Sequence, residues 1–129
     1  MLKHLFLLCL CVLLIAPIAF SAQDTGKIAI AATGKTTSDQ VSQLAGRGPY
    51  FQIFDSSGRF LETIENPYKT ARGGAGVSIV NLLAKKGVTK IAAGETGPRM
   101  ANAMRTQGIV FVEFRGSIDQ AVRQIIGNK

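Results

Sequence analysis

The side chains of this chain that could do chemistry are mostly cationic, and they stand beside glycines. Lys35, Arg47, Arg72, Arg99 and Arg115 are spread along the sequence, while Gly74, Gly76, Gly94 and Gly97 punctuate the stretch from Ala71 to Pro98. There Arg72-Gly73-Gly74-Ala75-Gly76 leads into an apolar helical run, and Gly94-Glu95-Thr96-Gly97-Pro98 opens a second helix. Helix N termini present unpaired N–H groups and partial positive charge. Two such ends on one edge of a sheet suit an anion or a polar cofactor. Thr33, just after an apolar run, adds a hydroxyl to the set, and Glu65 and Glu95 are its counter-charges. The alternative is a group of solvated loop arginines, some paired with those glutamates.

Other chemistries lack their residues. Cys9, Cys11 and His4 are the only cysteines and histidine, and all three fall in an apolar leader. Without that leader the chain has no disulfide, no thiol or imidazole nucleophile, and no soft or imidazole metal ligand. Gly34-Lys35-Thr36 resembles the tail of a phosphate-binding loop, but the required earlier glycine is Ala29. Two-metal nuclease chemistry needs clustered carboxylates. The run Ile28 to Ala32 has none, and Glu62 and Glu65 fall on opposite faces of a strand. Met100 and Met104, one helical turn apart, read as core. No enzymatic activity is expected.

The leader itself has a basic start, Met1-Leu2-Lys3-His4, an unbroken apolar run from Leu5 to Ala16, and small residues at Ala19 and Ser21. This is the pattern of a signal peptide, residues 1–21, cleaved after Ser21 or else after Ala22. Leu5 to Phe20 contains Pro17 and is shorter than the ~20 residues of a comfortable span, which disfavours an uncleaved anchor. The expectation is therefore a periplasmic or secreted protein that meets a membrane only during export. The cysteines sit mid-run, so lipidation is rejected. The remaining chain has about 108 residues, enough for one domain. Of 15 basic and 8 acidic residues, only Lys3 leaves with the leader, so the net charge is +6. That favours anionic partners. Clustered Lys/Arg with interleaved aromatics is missing, so nucleic acid is not expected.

These residues need a scaffold, and the pattern supplies one. Lys27 to Ala32 reads as a buried strand, and Ser38 to Leu44 as one or two helical turns capped by Ser38. Tyr50 to Phe54 and Phe60 to Glu65 flank the turn Asp55-Ser56-Ser57-Gly58 and read as an antiparallel hairpin. Gly76 to Lys86 is an amphipathic helix with Val77, Val80, Leu83 and Ala84 inward. A strand over Thr89 to Ala93, a helix from Pro98 to about Thr106, a strand over Ile109 to Phe114 and a helix capped by Ser117 and running through Ile126 complete the order. The reading is a single α/β domain, residues 27–127, with a mixed five-stranded sheet, one antiparallel hairpin strand and covering helices. All strands except the second run parallel. One sheet edge then collects Thr33, Lys35, Arg47, Arg72 to Gly76, Gly94 to Arg99 and Arg115, where open α/β sheets bind ligands.

The same residues carry a family resemblance. Ala45-Gly46-Arg47-Gly48-Pro49-Tyr50-Phe51, Ile64-Glu65-Asn66-Pro67, Gly74-Ala75-Gly76 before a helix, and Gly94-Glu95-Thr96-Gly97-Pro98 resemble the landmarks of the dinitrogenase iron–molybdenum cofactor biosynthesis family. Gly108-Ile109-Val110 and Gly116 to Val122 fit its last strand and helix. The resemblance implies a ribonuclease-H-like fold and a non-catalytic module that binds or carries an iron–sulfur or iron–molybdenum type cluster. Members often have a histidine before the glycine pair where this chain has Arg72. Arg72 can hold an anionic cluster by charge and hydrogen bonds, not by coordination. The expected partner is an anionic small molecule or metallocofactor, with no protein partner specified. An exported oxyanion-binding protein keeping only the scaffold, or a protein-interaction module, is the alternative.

Overall fold

A computed structural model describes residues 25–127; the expected signal peptide lies outside the described residues. The elements in chain order are β1 (Lys27–Ala32), a 3₁₀ turn (Ala45–Arg47), β2 (Tyr50–Phe54), β3 (Phe60–Glu65), α1 (Ala75–Lys85), β4 (Val88–Ala93), α2 (Pro98–Thr106), β5 (Val110–Glu113) and α3 (Ile118–Gly127). The sheet order is β3-β2-β1-β4-β5. β2 is antiparallel to both β1 and β3, while β1–β4 and β4–β5 pair in parallel. The mixed sheet and its single antiparallel strand are as the pattern predicts.

β1 is central because it is apolar on both faces, as a strand covered on both sides must be. Ala29 and Ala31 face one core with Phe51, Ile53, Ile79, Val80, Leu83, Met100 and Met104. Ile28, Ile30 and Ala32 face the other with Phe54, Ile118, Ala121 and Ile125. Thus α1 and α2 cover one face and α3 the other. Truncating a core side chain such as Leu83 to Ala costs about 2–5 kcal/mol.

Three expectations need correction. Ser38 to Leu44 forms no helix. Its backbone groups are taken by distant partners: Ser42 N–H donates to Ala31 O at 2.7 Å, and Val41 N–H to Gly116 O at 2.8 Å. Asp39, not Ser38, organises the preceding turn, accepting from the Thr36 N–H and hydroxyl at 2.8 Å each. Val77 is not core but 36% exposed, while Ala75 and Ile79 are buried instead. Finally, the last strand is shorter than expected. Ile109 N–H closes the end of α2 on Met104 O at 2.8 Å.

Candidate functional site

The three helices begin differently. At α3, Gln120 N–H donates to Ser117 Oγ at 3.3 Å and Ser117 N–H to Gln120 Oε1 at 3.0 Å, a reciprocal capping box. Carbonyls of Asp39 and Thr37 accept from the Ile118 and Asp119 N–H groups. That end is closed by the protein itself. At α1 the N-cap is Gly74, with φ +71°, and at α2 it is Gly97, followed by Pro98. Neither has a side-chain cap or an acidic residue in its first turn. The left-handed backbone at Gly74 is one that a side chain rarely tolerates. The first intrahelical donors are Ser78 N–H and Ala101 N–H, so the amides of Ala75, Gly76, Val77, Arg99 and Met100 precede the helical ladder.

These two ends open on one cleft of about 390 Å³. Gly76 makes the convergence possible: a Cβ there would lie 2.7 Å from Met100 Cβ, so α1 and α2 meet because this position has no side chain. Gly46 packs against Gly76 in the same way, a Cβ on it lying 3.2 Å from Gly76 Cα. The base is zipped by Ala45 N–H to Glu95 O at 3.0 Å and Glu95 N–H to Gln43 O at 2.7 Å. Leu44, Val77, Pro98 and Met100 give the cleft apolar walls, and Arg47, Glu95 and Arg99 are its charged residues.

Of the sequence-derived candidates, Arg47, Gly74, Gly76, Gly97 and Arg99 line this cleft. Thr33, Lys35, Arg72, Gly94 and Arg115 share the sheet edge but not the cleft lining. Thr33 donates through Oγ1 to Gln40 O at 3.2 Å. Lys35 Nζ lies 5.4 Å over the Tyr50 ring, a cation–π contact on the α3 side of the sheet. Buried Gln52 holds that loop there, donating to Gly34 O at 3.2 Å and Thr36 O at 2.8 Å. Gly94 is a close-packing position, where a Cβ would meet Gln43 O at 2.8 Å. Arg115 binds Gln43 and approaches Glu113 at 3.8 Å. The pairing with Glu65 or Glu95 that the alternative reading offered does not form: among the described residues the ion pairs are Asp55–Arg59, Glu62–Lys86 and Glu113–Arg115. Arg72 and Arg99 are exposed, and neither has an ion pair among the described residues.

Arg47 lines the cleft but is also tied down, its guanidinium donating to Lys69 O and Ala71 O. It thereby anchors the loop that delivers Gly73-Gly74. Asn66 completes this brace: it is 1% exposed, donates to Gly46 O and Gly48 O at 3.0 Å, and accepts from Tyr68 N–H at 2.9 Å. Sequence reasoning gave Asn66-Pro67 as a landmark of the family resemblance and missed this bracing role. It also missed Leu44, Val77 and Met100 as cleft residues, since apolar side chains there carry no signal distinct from core.

The described residues therefore form an α/β domain whose cleft is walled by two uncapped helix N termini, with a guanidinium at its rim. The chain belongs to the dinitrogenase iron-molybdenum cofactor family, whose sequence pattern matches residues 26–128. Among solved structures it is similar to the apo form of the orange protein (ORP) from Desulfovibrio gigas, at 27% identity and a TM-score of 0.76, covering 83% of this chain and 92% of that one. It is also similar to TM1290 from Thermotoga, described as a candidate NifB protein belonging to the DUF35 family, at 28% identity and a TM-score of 0.67, covering 80% and 88%. PH0822, at 24% identity and a TM-score of 0.67 over 80% and 92%, shares the fold. A search of curated proteins finds no match.

Proposed function

We propose that this protein is a non-catalytic carrier that holds an anionic cofactor or cluster in the cleft between α1 and α2. The observation that carries the reading is the pair of uncapped helix N termini, free of first-turn carboxylates, opening on a single cleft. Partial positive charge and oriented N–H groups at both ends favour an anion. Family membership and likeness to the orange protein support a cofactor as the cargo.

An iron–sulfur or iron–molybdenum type cluster fits this cleft in one way only. Among the described residues no three His, Cys, Asp or Glu side chains converge, and the sequence has no Cys or His beyond residue 11. The donors present are the amides of Ala75, Gly76, Val77, Arg99 and Met100, with the Arg99 guanidinium. They fit a cluster bound whole as an anion, not one ligated by thiolate or imidazole. The cargo would supply any redox chemistry; the chain supplies charge, hydrogen bonds and apolar walls.

The sheet order, with β2 as its only antiparallel strand, supports placing the domain among ribonuclease-H-like folds. The leader supports export and cleavage near Ser21 or Ala22, with function in the periplasm or outside the cell. Lack of a soft ligand favours one second reading, a carrier of a simple oxyanion on the same amides. The test is metal analysis and a visible spectrum of the protein purified anaerobically from its host. Stoichiometric iron or molybdenum is expected. A colourless, metal-free protein stabilised by molybdate or phosphate would support the second reading, and indifference to every anion would contradict both.

A further inference from the structure

Beyond the cleft mouth, α1 and α2 enclose a groove of about 350 Å³ that shares Val77 and Arg99 with the cleft. Asn81 on α1 and Asn102, Thr106 and Gln107 on or just after α2 line it, and Gln107 donates to Asn81 across it at 3.3 Å. It continues past Lys85, which adjoins Asn81 and Gln107. The charge of the two helices is one-sided: they carry Lys85, Arg99 and Arg105 and no acidic residue. On the opposite face α3 balances Asp119 with Arg123.

We propose that this groove is the docking surface for an acidic segment of a partner polypeptide, laid along α1 and α2 up to the cleft. Charge complementarity names the sign of the partner. Carboxamides and a hydroxyl along the floor suit a polypeptide, whose backbone offers both donors and acceptors. Val77 is the one large exposed apolar side chain in the groove, so the face lacks the apolar area that a membrane surface requires. Continuity with the cleft gives the contact a purpose: a seated partner covers Arg99 and the open helix ends. That purpose rests on the carrier reading; the docking itself is separable from it.

The test uses the chain beginning at Ala22 and a fluorescein-labelled decapeptide of glutamate and glycine, read by fluorescence anisotropy at low salt. Lys85→Glu should weaken binding by about fivefold or more. Arg123→Glu, the same charge change on α3, should alter it less than about twofold. Lys85 does not line the cleft, so molybdate affinity should persist in that variant; its absence from the parent protein would count against the carrier reading alone. Equal losses from both substitutions, or no peptide binding, would overturn the docking proposal. So would a preference for phosphatidylglycerol vesicles over the peptide.

Discussion

Arg99 and Arg72 are both exposed cations near a helix N terminus, yet they are not equivalent. Arg99 lines the cleft and Arg72 stands outside its lining. Arg99→Ala should weaken molybdate binding about tenfold, equivalent to ~1.4 kcal/mol, by calorimetry, with Arg72→Ala causing a smaller loss. Both variants should melt like the parent, because neither side chain is buried or ion-paired among the described residues. Gly76 acts through what it lacks. Gly76→Ala places a methyl against Met100 Cβ, which should cost about 1–3 kcal/mol in a denaturant titration and splay the two helix ends. Asp39 acts through its turn. The Thr36 N–H bond, then the Thr36 hydroxyl, holds its carboxyl below the ordinary 3.8. A depressed carboxyl stabilises the fold above its unfolded value, and that contribution fades as pH falls through the lower, folded one. Acidification through and below the ordinary carboxylate range should therefore lower the protection of the Thr36 amide in the parent, measured as its exchange rate relative to an unstructured peptide at the same pH. In Asp39→Asn the same change should have little effect there.

At the scale of elements, helix starts divide the labour. α3 is closed by its capping box and by the carbonyls of Thr37 and Asp39, and its role is to cover one face of the sheet. Ser117→Ala should cost about 1 kcal/mol of stability and leave anion affinity unchanged. If affinity fell as well, the separation between a structural helix end and two binding ends would be wrong. Much of this was legible beforehand. Gly87 and Gly108 mark the helix stops, Pro98 a first turn, and Ser117 a cap. The stretch from Ser38 to Leu44 was not legible. Its local propensity is helical, but its hydrogen-bond partners, Ala31, Gly116 and Glu95, lie elsewhere in the chain. Val77 was illegible for a related reason. A helical wheel separates apolar from polar, but it cannot distinguish a cleft wall from a core.

At the scale of the molecule, strand directions correctly bring the loops after β1, β3, β4 and β5 to one edge. That edge has two sides, because a sheet divides it. Lys35 falls over Tyr50 on the α3 side, whereas Arg47 and Arg99 fall at the cleft with α1 and α2. Topology alone assigns residues to the edge, and only packing assigns them to a side. Half of the ten candidate residues thus line the cleft and half do not. Among the three helices the basic excess follows the same division, since α1 and α2 carry no carboxylate and α3 carries one against one arginine. Site, groove and charge coincide on a single face.

The central claim is that an anion sits on the two open helix ends. Its most direct measurement is a molybdate titration of the ¹⁵N-labelled chain beginning at Ala22, followed by amide chemical shifts. The account predicts that the amides of Ala75, Gly76, Val77, Arg99 and Met100 move together and saturate, while those of Ile118 and Asp119 at the capped start of α3 stay still. Movement at Ile118 and Asp119 instead, or no saturable movement at the five cleft amides, would contradict it.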